Sequence, residues 1–128
     1  MTRAMMRILI ADDSEVFVAR LTSRLAECAG IEIVGHAYNA ADAILEIRRA
    51  RPDVVILDIR MPGGSGIDVL DDLAGSSYQP VVIILTNCDH QQYRRRCLGS
   101  GASYFFDKSA EFHKVAEVLH SLMNVASA

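Results

Sequence analysis

A chain of 128 residues, 51% hydrophobic and 23% charged, has the size of one ordinary domain and enough apolar content to be globular rather than disordered. At this length folding buries somewhat over ~60% of the unfolded surface, enough for a real core. The longest purely aliphatic run, Val81-Val82-Ile83-Ile84-Leu85, is far short of the ~20 apolar residues of a membrane helix, and the net charge of −3 argues against a general nucleic-acid binder.

The N-terminal apolar stretch is interrupted by Arg7 and runs straight into Asp12 and Asp13, so it is not expected to be a signal peptide. That stretch, Met6–Ala11, is the first predicted strand. Ser14–Cys28 follows as a helix, with Phe17, Leu21 and Leu25 at i, i+4 spacing. Ile31–His36 is the second strand, and Ala40–Ala50 a helix with Ala40, Ile44 and Ile47 on one stripe. Asp53–Leu57 is the third strand. Ser65–Leu73 is a helix that opens with Ser65 and Asp68 three residues apart, an N-cap arrangement. Val81–Leu85 is the fourth strand, Asp89–Leu98 a more polar helix, and Ala102–Phe106 the fifth strand. Glu111–Met123 closes the series, with Phe112, Val115, Leu119 and Leu122 on one face.

Three of the strands are apolar almost throughout, the habit of parallel strands buried on both faces. The order is (βα)5, with no linker, repeat or low-complexity segment. It predicts an α/β, doubly wound fold with right-handed crossovers, in the flavodoxin-like strand order 2-1-3-4-5. In that order strands 1 and 3 are neighbours, and their carboxyl ends open the crevice where ligands bind.

Asp12 and Asp13 follow strand 1 directly and Asp58 follows strand 3 directly, so three carboxylates meet in that crevice. Two like charges ~4 Å apart repel by about 4 kcal/mol at an effective dielectric of ~20, so a pKa must rise or a cation must bind. Hard oxygen ligands beside open water positions suit Mg²⁺. Thr86, after strand 4, adds a hydroxyl, and Lys108, after strand 5, adds an ammonium. This set is able to bind Mg²⁺ and a phosphoryl group together, with Asp58 placed as the nucleophile.

The chain resembles a response-regulator receiver domain of two-component signalling, of the chemotaxis single-domain type. The matching pieces are Ile10-Ala11-Asp12-Asp13, Leu57-Asp58-Ile59-Arg60-Met61-Pro62 with Gly66 beyond it, Leu85-Thr86, and Gly101-Ala102-Ser103 leading to Lys108. They occur in order, each at a strand end, and cover essentially the whole chain. The resemblance implies that Asp58 is the phosphoacceptor. It implies that Asp13, Asp58 and the Arg60 backbone carbonyl ligate Mg²⁺ (Mn²⁺ being a substitute), with Asp12 acting mainly through a metal-bound water. Thr86 and Lys108 would bind phosphoryl oxygens, and Phe105 occupies the aromatic switch position. Phosphorylation would then remodel the face of the fourth helix, fifth strand and fifth helix.

Some residues depart from the pattern. Ser109 stands where the family often has a proline with a cis bond; a cis non-proline bond costs about 2.5–4 kcal/mol, so Lys108–Ser109 is predicted trans. Asn87 replaces the usual small residue after the threonine. Arg60, a long side chain at the site entrance, is expected with Asn87 to modulate the phospho-Asp58 lifetime, Arg60 by lengthening it. Gly63-Gly64 predicts a permissive, mobile loop. Asp107 is expected to point away from Lys108 by strand alternation.

The remaining chemistry-bearing residues read as background. Tyr93-Arg94-Arg95-Arg96 is a solvated basic face or, in a sharper reading, a docking patch for an acidic partner, including a second copy of this chain. His36, His90, His113 and His120 form no triad or ligand spacing. Cys28, Cys88 and Cys97 are odd in number, lack Cys-x-x-Cys spacing, and are expected as reduced thiols of a cytoplasmic protein with no zinc site.

The expected function is a phosphoacceptor switch, not an enzyme acting on an external substrate, although it catalyses its own phosphorylation and dephosphorylation. Its partners would be a histidine kinase or histidine phosphotransfer protein and an effector protein, with no direct nucleic-acid contact and no membrane. The alternative is a pseudo-receiver serving as a constitutive interaction or dimerisation module, which the intact acidic set disfavours. An aspartate-nucleophile phosphatase is disfavoured too, because Ile59-Arg60 follows Asp58 where a second Asp would be the general acid. Residues 1–128 are expected to be one receiver domain without an output domain, either a stand-alone receiver, which the absent linker favours, or a piece of a longer regulator.

Overall fold

A computed structural model describes residues 5–87 and 91–127, with side chains described as far as Asn124. The elements are β1 (Met6–Ala11), α1 (Glu15–Ala26), β2 (Ile31–Ala37), α2 (Ala40–Ala50), β3 (Val54–Leu57), β4 (Arg60–Met61), β5 (Gly64–Ser65), α3 (Gly66–Ala74), β6 (Val81–Thr86), α4 (Gln91–Gly99), β7 (Tyr104–Asp107) and α5 (Phe112–Ser127). Five strands form one parallel sheet in the order β2-β1-β3-β6-β7, the expected 2-1-3-4-5 arrangement.

Alternation along the strands divides the core in two. Leu9, Val55, Leu57, Val82, Ile84 and Phe105 face α2, α3 and α4, packing on Ala43, Ile47, Val69, Leu70 and Cys97. Ile8, Ile10, Val54, Ile56, Ile83 and Leu85 face α1 and α5, packing on Val18, Leu21, Leu25, Val115 and Leu119. Apolar side chains are thus needed on both faces of each central strand, which is why β1, β3 and β6 read as unbroken aliphatic runs.

Register aligns the functional ends. Ala11 pairs with Leu57, and the Asp58 N–H donates to the Ala11 carbonyl at 2.9 Å, so Asp12 and Asp58 leave adjacent strands at one level. Thr86 pairs with Asp107, and the Lys108 N–H donates to the Thr86 carbonyl at 2.9 Å. The Lys108–Ser109 bond is trans, as expected, and there is no cis peptide among the described residues.

Several element boundaries differ from expectation by a few residues. Ser14 caps α1 rather than belonging to it, its hydroxyl accepting the Phe17 N–H at 3.2 Å. The last strand begins two residues late, because the Ala102 N–H still closes the α4 terminus on the Cys97 carbonyl. Residues 88–90, with Cys88 and His90, lie outside the described residues, so α4 is described from Gln91.

The segment expected as a loop around Gly63-Gly64 carries a two-residue antiparallel ladder, Arg60 with Ser65 and Met61 with Gly64. Gly63 (φ 71°) and Gly64 (φ 133°) supply the left-handed turn between them. Ser65 then caps α3: its hydroxyl accepts the Ile67 N–H, and the Asp68 carboxylate accepts the Ser65 N–H at 2.8 Å, the reciprocal box expected from their spacing.

Gly66 is fixed by contact rather than by dihedral. Its N–H donates to the Ile59 carbonyl at 2.7 Å, and a Cβ on it would lie 2.3 Å from the Asp58 carbonyl oxygen. Backbone must move to admit a methyl there. Gly66→Ala is expected to lower stability by about 2 kcal/mol, seen as a lower urea midpoint with an unchanged slope. Gly99→Ala, where a Cβ meets nothing within 4 Å, is the control and should not be destabilised.

Candidate functional site

Carboxylate oxygens of Asp12, Asp13 and Asp58 lie within 4.8 Å of one another at the carboxyl ends of β1 and β3. Asp12 and Asp58 are 2% and 6% exposed, whereas Asp13 is open to solvent. The backbone fixes two of these carboxylates. Asp12 accepts the Ser14 N–H on Oδ1 at 2.9 Å, and Asp58 accepts the Ile59 N–H on Oδ1 at 2.7 Å. Their other oxygens share one cation: Lys108 Nζ is 2.7 Å from Asp12 Oδ2 and 3.0 Å from Asp58 Oδ2.

Burial and pairing act against each other here. Burial pushes the Asp12 carboxyl up, and its hydrogen bonds to Lys108 and Ser14 recover only part of that shift. Burial also pulls the Lys108 ammonium down, but its bonds to Asp12 and Asp58 outweigh burial and the net shift is upward. Lys108 therefore stays charged.

Thr86 ends β6 at 1% exposure, joined to Lys108 through its backbone carbonyl. Arg60 is exposed and lines an open cleft of ≈ 560 Å³ together with Asp13, Met61, Pro62 and Tyr93. Asn87 lies beside Ser109, whose hydroxyl donates to Asn87 Oδ1 at 3.4 Å. Asp107 turns away from Lys108 as expected, its Oδ2 accepting the Ser109 and Ala110 N–H groups.

Phe105 is 4% exposed and belongs to the core beneath α4. Arg94 lies over it: its guanidinium carbon is 5.6 Å from the ring centroid, and Nη1 donates to the Phe105 carbonyl at 3.3 Å. The basic run is therefore not a uniform solvated face. Arg94 covers β7, Arg96 pairs with Asp71 of α3 at 3.3 Å, and Arg95 is exposed. The described histidines form no cluster; His36 meets Thr22, and His113 is 4.0 Å from Glu117. Neither Cys28 nor the buried Cys97 is in a disulfide.

Sequence reasoning missed Phe17. Its i, i+4 spacing marks it as core, yet its ring centroid is 4.3 Å from Lys108 Nζ. The available signal was its place on the first turn of the helix that follows Asp12-Asp13.

Three oxygen donors with one exposed member suit a hard divalent cation. Asp12, Asp13 and Asp58 are the residues that would hold it.

Acids at the mouth of strands 1 and 3, with a lysine after the last strand, define an α/β domain with an acidic pocket. Residues 8–120 match the family model of the response regulator receiver domain, and the chain belongs to that family. It is 29% identical over 115 residues to the response regulator GacA of Pseudomonas protegens, covering 90% of this chain and 54% of GacA. It spans 54% of the length of GacA and 59% of that of the transcriptional regulatory protein DesR of Bacillus subtilis. The response regulator domain of Thermotoga maritima CheB superposes with a TM-score of 0.82 at 25% identity, over 97% of this chain and 98% of that one. A chain of the CheX–CheY–BeF3–Mg²⁺ complex from Borrelia burgdorferi gives 0.80 at 28% identity, over 91% and 88%. No helix among the described residues is long and apolar enough to cross a membrane.

Proposed function

We propose that Asp58 accepts a phosphoryl group from a phosphohistidine donor in a Mg²⁺-dependent reaction, and that the α4–β7–α5 surface changes in response to control a partner protein. The observation that carries this reading is Lys108 Nζ held between two buried carboxylates, beside an exposed third one. A charged donor is thus already in place where phosphoryl oxygens would gather.

In the transfer, an Asp58 carboxylate oxygen attacks phosphorus. The new O–P bond forms as the donor's N–P bond breaks, and the electron pair leaves on the imidazole nitrogen. Lys108 turns an N–H from the Asp58 oxygen to a phosphoryl oxygen, and the Thr86 hydroxyl donates to another. A divalent cation held by the acidic cluster supplies charge neutralisation. In hydrolysis, water attacks phosphorus, the Asp58 O–P bond breaks with its electron pair returning to the carboxylate, and phosphate leaves.

The switch is a two-state bias. The phosphoryl group carries roughly −1.5 to −2 charge in place of the single carboxylate charge of Asp58, with more acceptor oxygens, and the state in which Thr86 and Lys108 reach it is favoured. Lys108 continues β7, and Arg94 ties α4 to the Phe105 carbonyl and ring on that strand, which supports α4–β7–α5 as the surface that responds. The CheX–CheY complex contains BeF3 and Mg²⁺, in keeping with this chemistry. By the same reading the protein is cytoplasmic, takes its phosphate from a histidine kinase or phosphotransfer protein, and acts on an effector or on a second copy of itself through α4, β7 and α5.

Incubation with Mg²⁺ and acetyl phosphate should add one phosphoryl group to the wild type by intact mass, and none to Asp58→Ala. No adduct on the wild type, or an adduct on the variant, would count against the proposal. The exposed Arg60 at the cleft beside Asp13 is expected to shield the adduct. Arg60→Ala should therefore lose its label several-fold faster than wild type, and slower loss would contradict the shielding role.

A further inference from the structure

We propose that Phe17 is a positioning residue for Lys108, its ring face holding the ammonium over Asp12 and Asp58. The role in phosphoryl transfer rests on the function proposed above; the positioning itself does not.

Lys108 Nζ has three N–H groups. Two sides of the ammonium are engaged by Asp12 Oδ2 and Asp58 Oδ2, and Phe17 lies 4.3 Å away at its ring centroid. With the lysine side chain only 10% exposed, the ring meets a largely desolvated cation, where attraction to an aromatic face is strongest. The ring does not float. The Phe17 N–H is held by the Ser14 hydroxyl at 3.2 Å, and the Ser14 N–H by Asp12 Oδ1 at 2.9 Å. The ring also meets Phe112, the first residue of α5, in a T-shaped pair at 5.7 Å and 83°. A closed circuit results: Asp12 sets the helix cap, the cap sets Phe17, Phe17 flanks Lys108, and Lys108 returns to Asp12.

A lysine stem has four rotatable bonds, and an ammonium released from Asp58 would otherwise be free to swing into water. A flanking π face limits that swing, so the same cation can pass from carboxylate to phosphoryl oxygen without leaving the crevice. An ordinary core residue would need only bulk at this position. A positioning residue needs a π face, which separates leucine from tryptophan as replacements.

The test uses the full chain with Phe17→Leu and Phe17→Trp, both confirmed folded by circular dichroism. In the metal-free protein, the Lys108 ε-methylene protons should be shifted upfield by the ring in wild type and Phe17→Trp, and should move to ordinary positions in Phe17→Leu. With Mg²⁺ and acetyl phosphate, Phe17→Leu should label about five-fold more slowly than wild type, the scale expected for one partly desolvated cation–π contact, and Phe17→Trp should recover most of the rate. Unshifted wild-type protons, or a Phe17→Leu spectrum in which they do not move, overturns the positioning. Normal labelling by Phe17→Leu despite a moved resonance overturns its role in transfer. A wild type that takes no label overturns the function proposed above, while the proton shifts still decide this inference.

Discussion

One ammonium shared by two buried carboxylates governs this molecule. Two carboxylate charges at the 4.8 Å limit of the cluster repel by about 3 kcal/mol at an effective dielectric of ~20, before their desolvation is counted. Lys108 opposes that repulsion with contacts of 2.7 and 3.0 Å and remains charged because of them. The residual strain is visible at Asp12, whose carboxyl is pushed up by burial even with the lysine alongside. The resting site is therefore one cation short of balance, with an exposed carboxylate, Asp13, at its open side. A site in that condition is receptive to added positive charge.

The fold exists to bring these groups to one level. Residues 46 positions apart in sequence, Asp12 and Asp58, leave adjacent parallel strands whose register is set by Ala11 opposite Leu57. Lys108 arrives from the edge of the sheet, where its N–H is held by the Thr86 carbonyl. The tight approach of Gly66 to the Asp58 carbonyl locks the segment behind Asp58. Each of these anchors is a backbone contact.

Much of this was legible in the sequence because parallel α/β proteins write their plan in two periodicities. Unbroken aliphatic runs marked β1, β3 and β6, and helical stripes such as Ala40, Ile44 and Ile47 marked the covers. Acids and the lysine stood immediately after strands, so the strand order alone gathered Asp12, Asp13, Asp58 and Lys108. Three features were hidden. The β4–β5 ladder is two residues on each side, too short to show alternation. Arg94 looked like its neighbours in a basic run, and only tertiary packing laid it across Phe105. Phe17 carried a core spacing that is true of its helix and silent about the lysine some 90 positions away. Local pattern predicts which face a residue takes, and not what arrives from elsewhere to meet it.

Urea denaturation of Lys108→Met beside wild type, each with and without Mg²⁺, tests the central claim most directly. Without the ammonium two buried carboxylates face each other uncompensated, so the variant should be less stable by about 3 kcal/mol, and Mg²⁺ should stabilise it more than it stabilises wild type. A variant as stable as wild type, with an equal response to Mg²⁺, would show that the shared lysine does not balance the site.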